Sequence, residues 1–360
     1  MDHHVIGIGQ GGSRIAMLLS PFADNTSVIN TNEIDLQDIP NDIPKYVIRD
    51  DRGEAIGVGA NPEFGAKLFK MRKDELGNFI EGNFTNEDMN HACVWVCAAL
   101  GGGTGSSGII PIANLVSHEN PMILNLVVAL PSERDGINKV KNSLEVLFDV
   151  YTRLCVDKKK ANLIILDNDN YATIGAANKA LLTSLHYLLA KFPDVETFQD
   201  AVGHADERDL ITVLKQNSGC LTISEAEVDN VFCKANRYFF NNYFNKFLGL
   251  DYEIVPTGIW LRDHTEGKNR TFIQPFLEDH KSAVLFSGEY KRLHTPHQIE
   301  AGMKLINGTT IMLQTGLPLP PSLIDKRTKL VNTYREYKER TEGRSKVKTA
   351  KKLDVSGIKL

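Results

Sequence analysis

Gly101-Gly102-Gly103-Thr104-Gly105-Ser106-Ser107-Gly108 follows the apolar run Ala92-Cys93-Val94-Trp95-Val96-Cys97-Ala98 and precedes a stretch of helical character that begins near Ser106. Consecutive glycines remove the side chains that would keep a ligand away from the backbone. Several amides can then point at phosphate oxygens with a helix dipole behind them. The chain contains no G-x-x-x-x-G-K-[ST] sequence, which excludes a Walker-type loop. Gly101, Gly102, Gly103, Thr104, Gly105 and Ser106 therefore read as a phosphate-binding loop of another kind.

A second glycine loop lies at the start of the chain. Val5-Ile6-Gly7-Ile8 reads as a strand, and Gly7-Ile8-Gly9-Gln10-Gly11-Gly12 satisfies G-x-G-x-x-G between that strand and a helix. In a NAD(P)-dependent oxidoreductase an acidic residue closing the next strand would hold the ribose. The sequence Asn30-Thr31-Asn32-Glu33 supplies Glu33 for that reading, which leaves the loop at Gly101 without a task. A nucleoside triphosphate held between two glycine turns employs both.

Working outward, Val5 to Ile8, Ser27 to Ile29, Tyr46 to Ile48, Val94 to Ala98, Met122 to Val128 and Leu163 to Leu166 read as strands alternating with helical patterns. Apolar on both faces, they predict an α/β fold with a Rossmann-like parallel sheet. Residues 1–172 form the nucleotide-binding part, and the apolar stretch 173–192 reads as a long central helix. Residues 193–317 read as a smaller α+β domain, with helices over Asp206 to Gln216 and Ser224 to Leu248 and strands over Glu253 to Trp260, Thr271 to Ile273 and Ala283 to Phe286. Pro318-Leu319-Pro320-Pro321 breaks the chain, Ser322 is placed to cap a C-terminal helix within 318–342, and a disordered basic tail occupies 343–360.

Five cysteines without a C-x-x-C pair, two of them inside the apolar run 92–98, predict reduced core thiols and a cytoplasmic protein. The strand starting at Val5 leaves no room for a signal peptide, and the apolar run from Pro121 to Pro131 is too short to span a bilayer. Residues 326–360 carry 12 Lys and Arg against four Asp and Glu, so a basic end follows an acidic body. His294 and His297 have no zinc-ligand spacing around them and read as a solvated loop; Asn83-Phe84-Thr85 is a glycosylation sequence without relevance in a cytosolic chain.

In this setting GGGTGS at Gly101 to Ser106 resembles the signature loop of the tubulin/FtsZ superfamily. Other landmarks occur in that family's order. Gly7 to Ser13 is similar to its first nucleotide loop, Asn30-Thr31-Asn32 to the second, and Gly57-Val58-Gly59-Ala60-Asn61-Pro62-Glu63 to the FtsZ version of the third. Pro131 through Asp135-Gly136 resembles the ribose-side loop, Asn168-Asp169 the loop before the central helix, and Gly175-Ala176-Ala177-Asn178 the opening of that helix. The resemblance spans residues 5 to about 215.

The resemblance implies a GTP- and GDP-binding, GTP-hydrolysing subunit of a filament. Gly9, Gln10, Gly11, Gly12 and Gly101 to Ser106 would cradle the phosphates, with Ala60 and Asn61 near the γ-phosphate. Asn178 would read the guanine edge, for which a neutral amide supplies paired donor and acceptor. Asn30 is implied as a further base or sugar contact, and Pro131, Asp135, Lys139, Asn168 and Ile174 as the ribose and base surroundings. Mg2+ would be held chiefly by phosphate oxygens and water, with no direct protein ligand assigned. Gly203-His204-Ala205-Asp206-Glu207-Arg208-Asp209-Leu210 resembles the acidic loop by which one subunit completes the next one's site, with Asp206 and Asp209 catalytic. The same residues suit a helix start, where Asp206 caps and the acids behind it favour the first turn.

His204, Ile174 and Lys139 depart from the FtsZ pattern, where asparagine, an aromatic and arginine are expected, and either Ser13 or Arg14 takes the first loop's asparagine place. These differences point to the plasmid and phage TubZ-type branch. They imply head-to-tail self-assembly serving DNA segregation, with the tail 343–360 recruiting a DNA-bound adaptor. A nucleotide-gated adaptor that never polymerises is the remaining alternative to the filament and to the oxidoreductase.

Overall fold

The structure, a computed structural model, describes residues 2–55, 57–59, 61–84, 92–119, 121–189, 211, 214–215, 218–227, 246–247, 250–251, 283–287 and 309–333. These divide into a unit within Met1–Pro320 and a second within Pro321–Leu360.

In the first unit the chain runs β1 (Asp2–Ile8), α1 (Gly9–Leu19), β2 (Asn25–Asn30), β3 (Lys45–Val47), α2 (Pro62–Met71), α3 (Lys73–Asn83), β4 (Ala92–Ala99) and α4 (Thr104–His118). It continues through β5 (Ile123–Leu130), α5 (Ile137–Val150), β6 (Asn162–Asp167), α6 (Ile174–Leu189) and β7 (Gly219–Glu227), then β8 (Lys246–Phe247), β9 (Leu250–Asp251), β10 (Ala283–Ser287) and β11 (Thr309–Leu317). Among the described residues nine strands form one sheet in the order β10-β11-β7-β6-β5-β4-β1-β2-β3. From β7 to β3 all pairings are parallel, while β11 runs antiparallel to β7 and β10.

The six strands read from sequence are all present, each within a few residues of its expected ends. Every residue of β5 and β6 is buried, as in a sheet covered on both faces. Trp95 on β4 is fully buried and donates its ring N–H to His3 Nδ1 at 3.1 Å. Two buried amides interrupt the apolar pattern: Asn162 Nδ2 donates to Asn125 Oδ1 and to the Leu214 carbonyl, each at 3.0 Å. Asn125 in turn donates to Cys93 Sγ. Burial without a nearby cation pushes the Cys97 thiol upward and raises Cys155 to about 12, so these cysteines stay protonated, as core thiols should.

The sequence reading placed a helix from Ser224, whereas residues 219–227 are a strand that pairs Cys220 with Leu163 on one side and Glu225 with Ile311 on the other. The alternation Glu225-Ala226-Glu227 favours helix locally, and pairing to two neighbouring strands outweighs that preference. β11 was also missed, although Thr309-Thr310-Ile311-Met312-Leu313 has strand composition. Ala283–Ser287 is a strand as expected; Glu253 to Trp260 and Thr271 to Ile273 lie outside the described residues. In the second unit residues 321–333 are helical, so the helix opens on Pro321, and Ser322 lies inside it rather than capping it. Proline suits a first helical turn because its missing N–H would have no intrahelical partner there. No helix among the described residues is long and apolar enough to cross a membrane.

The parallel order 3-2-1-4-5-6-7 has a consequence for function. From β1 the chain builds outward through β2 and β3, then returns to place β4 on the other flank of β1. The turns leaving β1 and β4 therefore diverge, and a crevice opens between them at the C-terminal edge of the sheet. α1 packs over β1, β2 and β4, and α4 over β4 and α2. The approach of α1 is set by glycine: a Cβ on Gly12 would run into the Cys97 carbonyl oxygen, and one on Gly11 into Ala99 Cβ.

Gly12→Ala is expected to cost about 1–3 kcal/mol of stability by overpacking this contact. Gly77→Ala, in α3 where a new Cβ meets nothing within 4 Å, is expected to gain about 0.5–1 kcal/mol. Urea denaturation of the two variants measures both signs.

Candidate functional site

The crevice is a cleft of about 370 Å³ at the junction of the two glycine loops. Gly9 turns out of β1 at φ 69° and Gly101 out of β4 at φ 91°, left-handed backbone that glycine adopts without strain. α4 begins at Thr104, two residues earlier than expected, which puts Gly105 and Ser106 in its first turn. Neither α1 nor α4 has a side-chain cap or an acidic residue in its first turn. Their first amides are left to meet a ligand, with both dipoles directed at the same place. The two ends abut: a Cβ on Gly9 would lie 3.1 Å from the Gly105 nitrogen and 3.2 Å from Thr104 Cβ.

Hydrogen bonds hold the loop from behind. Ser106 Oγ accepts from the Gly101 N–H at 2.9 Å, and Ser107 Oγ donates to the Gly103 carbonyl at 2.8 Å. Ser106 is thus buried and shapes the loop from inside. Gly9, Gln10, Gly11, Gly102, Gly103, Thr104 and Gly105 line the cleft, Gly101 does not, and Gly12 is buried against β4.

The remaining walls come from the segments after β2 and β3. Asn30 is fully buried, and its Oδ1 accepts from the N–H groups of Thr31 at 2.8 Å and Asn32 at 3.3 Å. Its amide is consumed in folding the loop, so Thr31, Asn32 and Asp35 line the cleft in its place. Thr31 Oγ1 lies 2.7 Å from Thr104 Oγ1, tying this loop to the start of α4. Gly57, whose N–H donates to the Thr31 carbonyl at 2.9 Å, brings Val58 and Gly59 opposite Gly103. Asn61 caps α2, accepting from the Phe64 N–H at 3.1 Å, and does not line the cleft. Ala60 lies outside the described residues, as do Asp206, Asp209 and the tail 343–360.

The implied ribose and base residues follow along the same edge, beyond this cleft's walls. Pro131 is buried, its Cγ 3.0 Å from where a Gly101 Cβ would sit; the Lys139 carbonyl is 3.1 Å from that point and the Lys139 side chain is exposed. Asp135 accepts from the Ser132 N–H at 2.9 Å. Asp169 accepts from Ser132 Oγ and the Glu133 N–H, each at 2.7 Å, joining the loops after β5 and β6. Asn168 Oδ1 is buried with no hydrogen-bond partner among the described residues. Ile174 opens α6 exposed, and Asn178 follows one turn later, half-buried. Within α1 Ser13 is buried and Arg14 is exposed, and neither lines the cleft. Glu33 pairs with Arg49 at 2.9 Å away from the cleft walls, which removes the carboxylate on which the oxidoreductase reading depended.

Comparison with known proteins agrees with this geometry. Residues 3–175 match the Tubulin/FtsZ family, GTPase domain. This part of the chain is thus similar to a tubulin/FtsZ-family GTPase domain. The tubulin-like protein CetZ2 of Haloferax volcanii is 26% identical over 227 residues, an alignment spanning 59% of each protein. The solved structure of CetZ2 from Haloferax volcanii as a GTPγS-bound protofilament superposes with TM-score 0.63 at 20% identity, covering 93% of this chain and all of that one. The tail-truncated TubZ of Clostridium botulinum phage c-st superposes at 0.60 with 18% identity, covering 93% of this chain and 98% of that one. CetZ proteins stand beside TubZ in these comparisons, so the TubZ-type branch expected from sequence is not singled out.

Gly102 separates binding from folding. A Cβ there meets nothing within 4 Å and its φ is not left-handed, yet the residue lines the cleft. Gly102→Ala is expected to leave the unfolding free energy of the ligand-free protein within about 0.5 kcal/mol of wild type. The affinity of the cleft for a phosphate-bearing ligand in fluorescence titration should fall about tenfold or more, because the methyl takes space within it.

Proposed function

We propose that this protein binds GTP and GDP with the phosphates between the helix starts of α1 and α4, and hydrolyses GTP as a subunit of a head-to-tail filament. The observation that carries this reading is the abutment of two uncapped helix N-termini across a glycine-walled cleft. Amides so placed stabilise negative charge in the ground state and still more as it shifts during phosphoryl transfer.

Guanine is read by Asn178, with Asn168 and Ile174 beside it. The buried, unpartnered Asn168 Oδ1 supports a polar ligand on that side. Pro131, Asp135 and Lys139 border the ribose. Mg2+ fits a cleft without lysine or arginine among its described residues, where it would neutralise the phosphates while keeping most of its water. Asp206 and Asp209 of a neighbouring copy orient the attacking water, so the active site is complete only in the polymer. In this division residues 1–172 bind nucleotide, 193–317 mediate assembly through the acidic loop, and the protein works in the cytoplasm. The protofilament of CetZ2 supports self-association, and the basic charge of the tail 343–360 suits it to contact a DNA-bound adaptor in a role in DNA positioning.

With GTP and Mg2+, the protein is expected to pellet on ultracentrifugation above a threshold concentration. GTP turnover per subunit should rise across that threshold. Asp209→Ala should still pellet and should hydrolyse at least about 100-fold more slowly, as for loss of a group acting mainly in the transition state. Turnover independent of concentration, without any pellet, would refute the interfacial mechanism.

A further inference from the structure

The cleft is shaped for phosphate and carries no cationic side chain among the described residues. Among the described residues its walls are backbone, small side chains, neutral amides and hydroxyls, and Asp35 is the one charged group. Asp35 enters from a single 3-10 turn, Ile34–Leu36, directly after the Asn30 loop. Leu36 and Ile39 are buried and pin that turn. Asn30 Nδ2 donates to Asp35 Oδ2 at 3.3 Å, which orients the carboxylate.

Two basic residues of the segment that follows are committed elsewhere. Lys45 donates to the carbonyls of Ile39 at 2.6 Å and Leu36 at 3.4 Å, and Arg49 donates to Glu33 and to the Gly53 carbonyl. A carboxylate held beside a polyphosphate in a partly desolvated cleft repels it, and salt screens such a pair poorly. That placement becomes favourable when a divalent cation lies between them. Mg2+ has the chemistry for it: a hard ion that takes oxygen ligands, keeps several waters, and is bound by one or two carboxylates together with phosphate.

We propose that Asp35 is the protein's anionic partner for the divalent cation that accompanies the nucleotide, and that Asn30, whose amide orients it, is a positioning residue for that cation. This rests on the cleft being the guanine-nucleotide site. Asp35 lies outside the sequence landmarks that carry the family resemblance, and it replaces a basic side chain with a carboxylate and metal pair as the means of neutralising phosphate. Dependence on the metal is then a property of ground-state nucleotide binding, not of hydrolysis alone.

The test is titration of the full chain with a fluorescent GDP derivative, in EDTA and in saturating Mg2+. Wild type is expected to bind at least about tenfold more tightly with Mg2+, while Asp35→Asn should gain less than about threefold and bind in EDTA at least as tightly as wild type. Asp35→Glu, which keeps the charge, should retain part of the gain. With Mn2+ as probe, the paramagnetic resonance of bound metal in the GDP complex should be strong for wild type and weak for Asp35→Asn. The proposal is overturned if wild type shows no gain or if Asp35→Asn keeps the full gain. Equal loss of affinity in both conditions also overturns it, and would assign Asp35 only to holding the Asn30 loop. Wild-type protein that binds GDP in neither condition refutes the nucleotide site itself, a result distinct from these.

Discussion

The rest of the structure depends on the parallel pairing of β1 with β4. In register from Asp2 opposite Ala92 to Ile8 opposite Ala98, the two strands end together at one edge of the sheet. Their following turns leave from points one strand spacing apart, roughly 4.8 Å. Two helices can start so close together only if the side chains between them are removed. The glycines do this twice over: Gly102 keeps the ligand side open and Gly9 lets the two helix starts abut, while Gly11, Gly12 and Gly105 let α1 and α4 settle against Ala99 and the Cys97 carbonyl. Glycine loops of this kind serve packing and binding together, which explains why some of the fingerprint lines the cleft and some of it lies beneath.

Charge gives the cleft its character. A Walker-type site brings a lysine to the phosphates; this one brings amides, hydroxyls and a carboxylate. Amides supply directional partial charge without a counter-ion, so in the proposed nucleotide complex the balance of the phosphate charge falls to a metal ion. Among the described residues the cleft walls offer no histidine or lysine to move a proton, and in the proposed filament the water-orienting carboxylates arrive with the neighbouring copy. Hydrolysis then reports assembly, because half of the catalytic apparatus is absent until a contact forms.

Much of the fold was legible because strands buried on both faces are written as unbroken apolar runs. Val94 to Ala98 and Leu163 to Leu166 needed only an extra residue or two at their ends. β7 was misread because Glu225 and Glu227 look helical until β11 is known to lie alongside, and β11 is more than 80 residues further along the chain. At the site the glycines and Thr104 were readable as types suited to phosphate. Asn30 was not, since a buried amide that organises a loop and an exposed one that touches a sugar are the same letter in the sequence.

By itself, then, the sequence determined the two strand-glycine-helix units, the absence of a Walker lysine, the reduced core thiols, and the ordered landmarks of a tubulin/FtsZ-like GTPase domain, because each is set by local composition and spacing. Only the tertiary structure decided that the two units face each other across β1 and β4, that Thr31 and Thr104 join hydroxyls, that Glu33 turns away to Arg49 while Asp35 turns in, and that Ser106 and Gly12 serve the loop from behind. Those outcomes depend on which distant segments pack together and on which polar groups burial forces to find partners, and no local pattern carries that information.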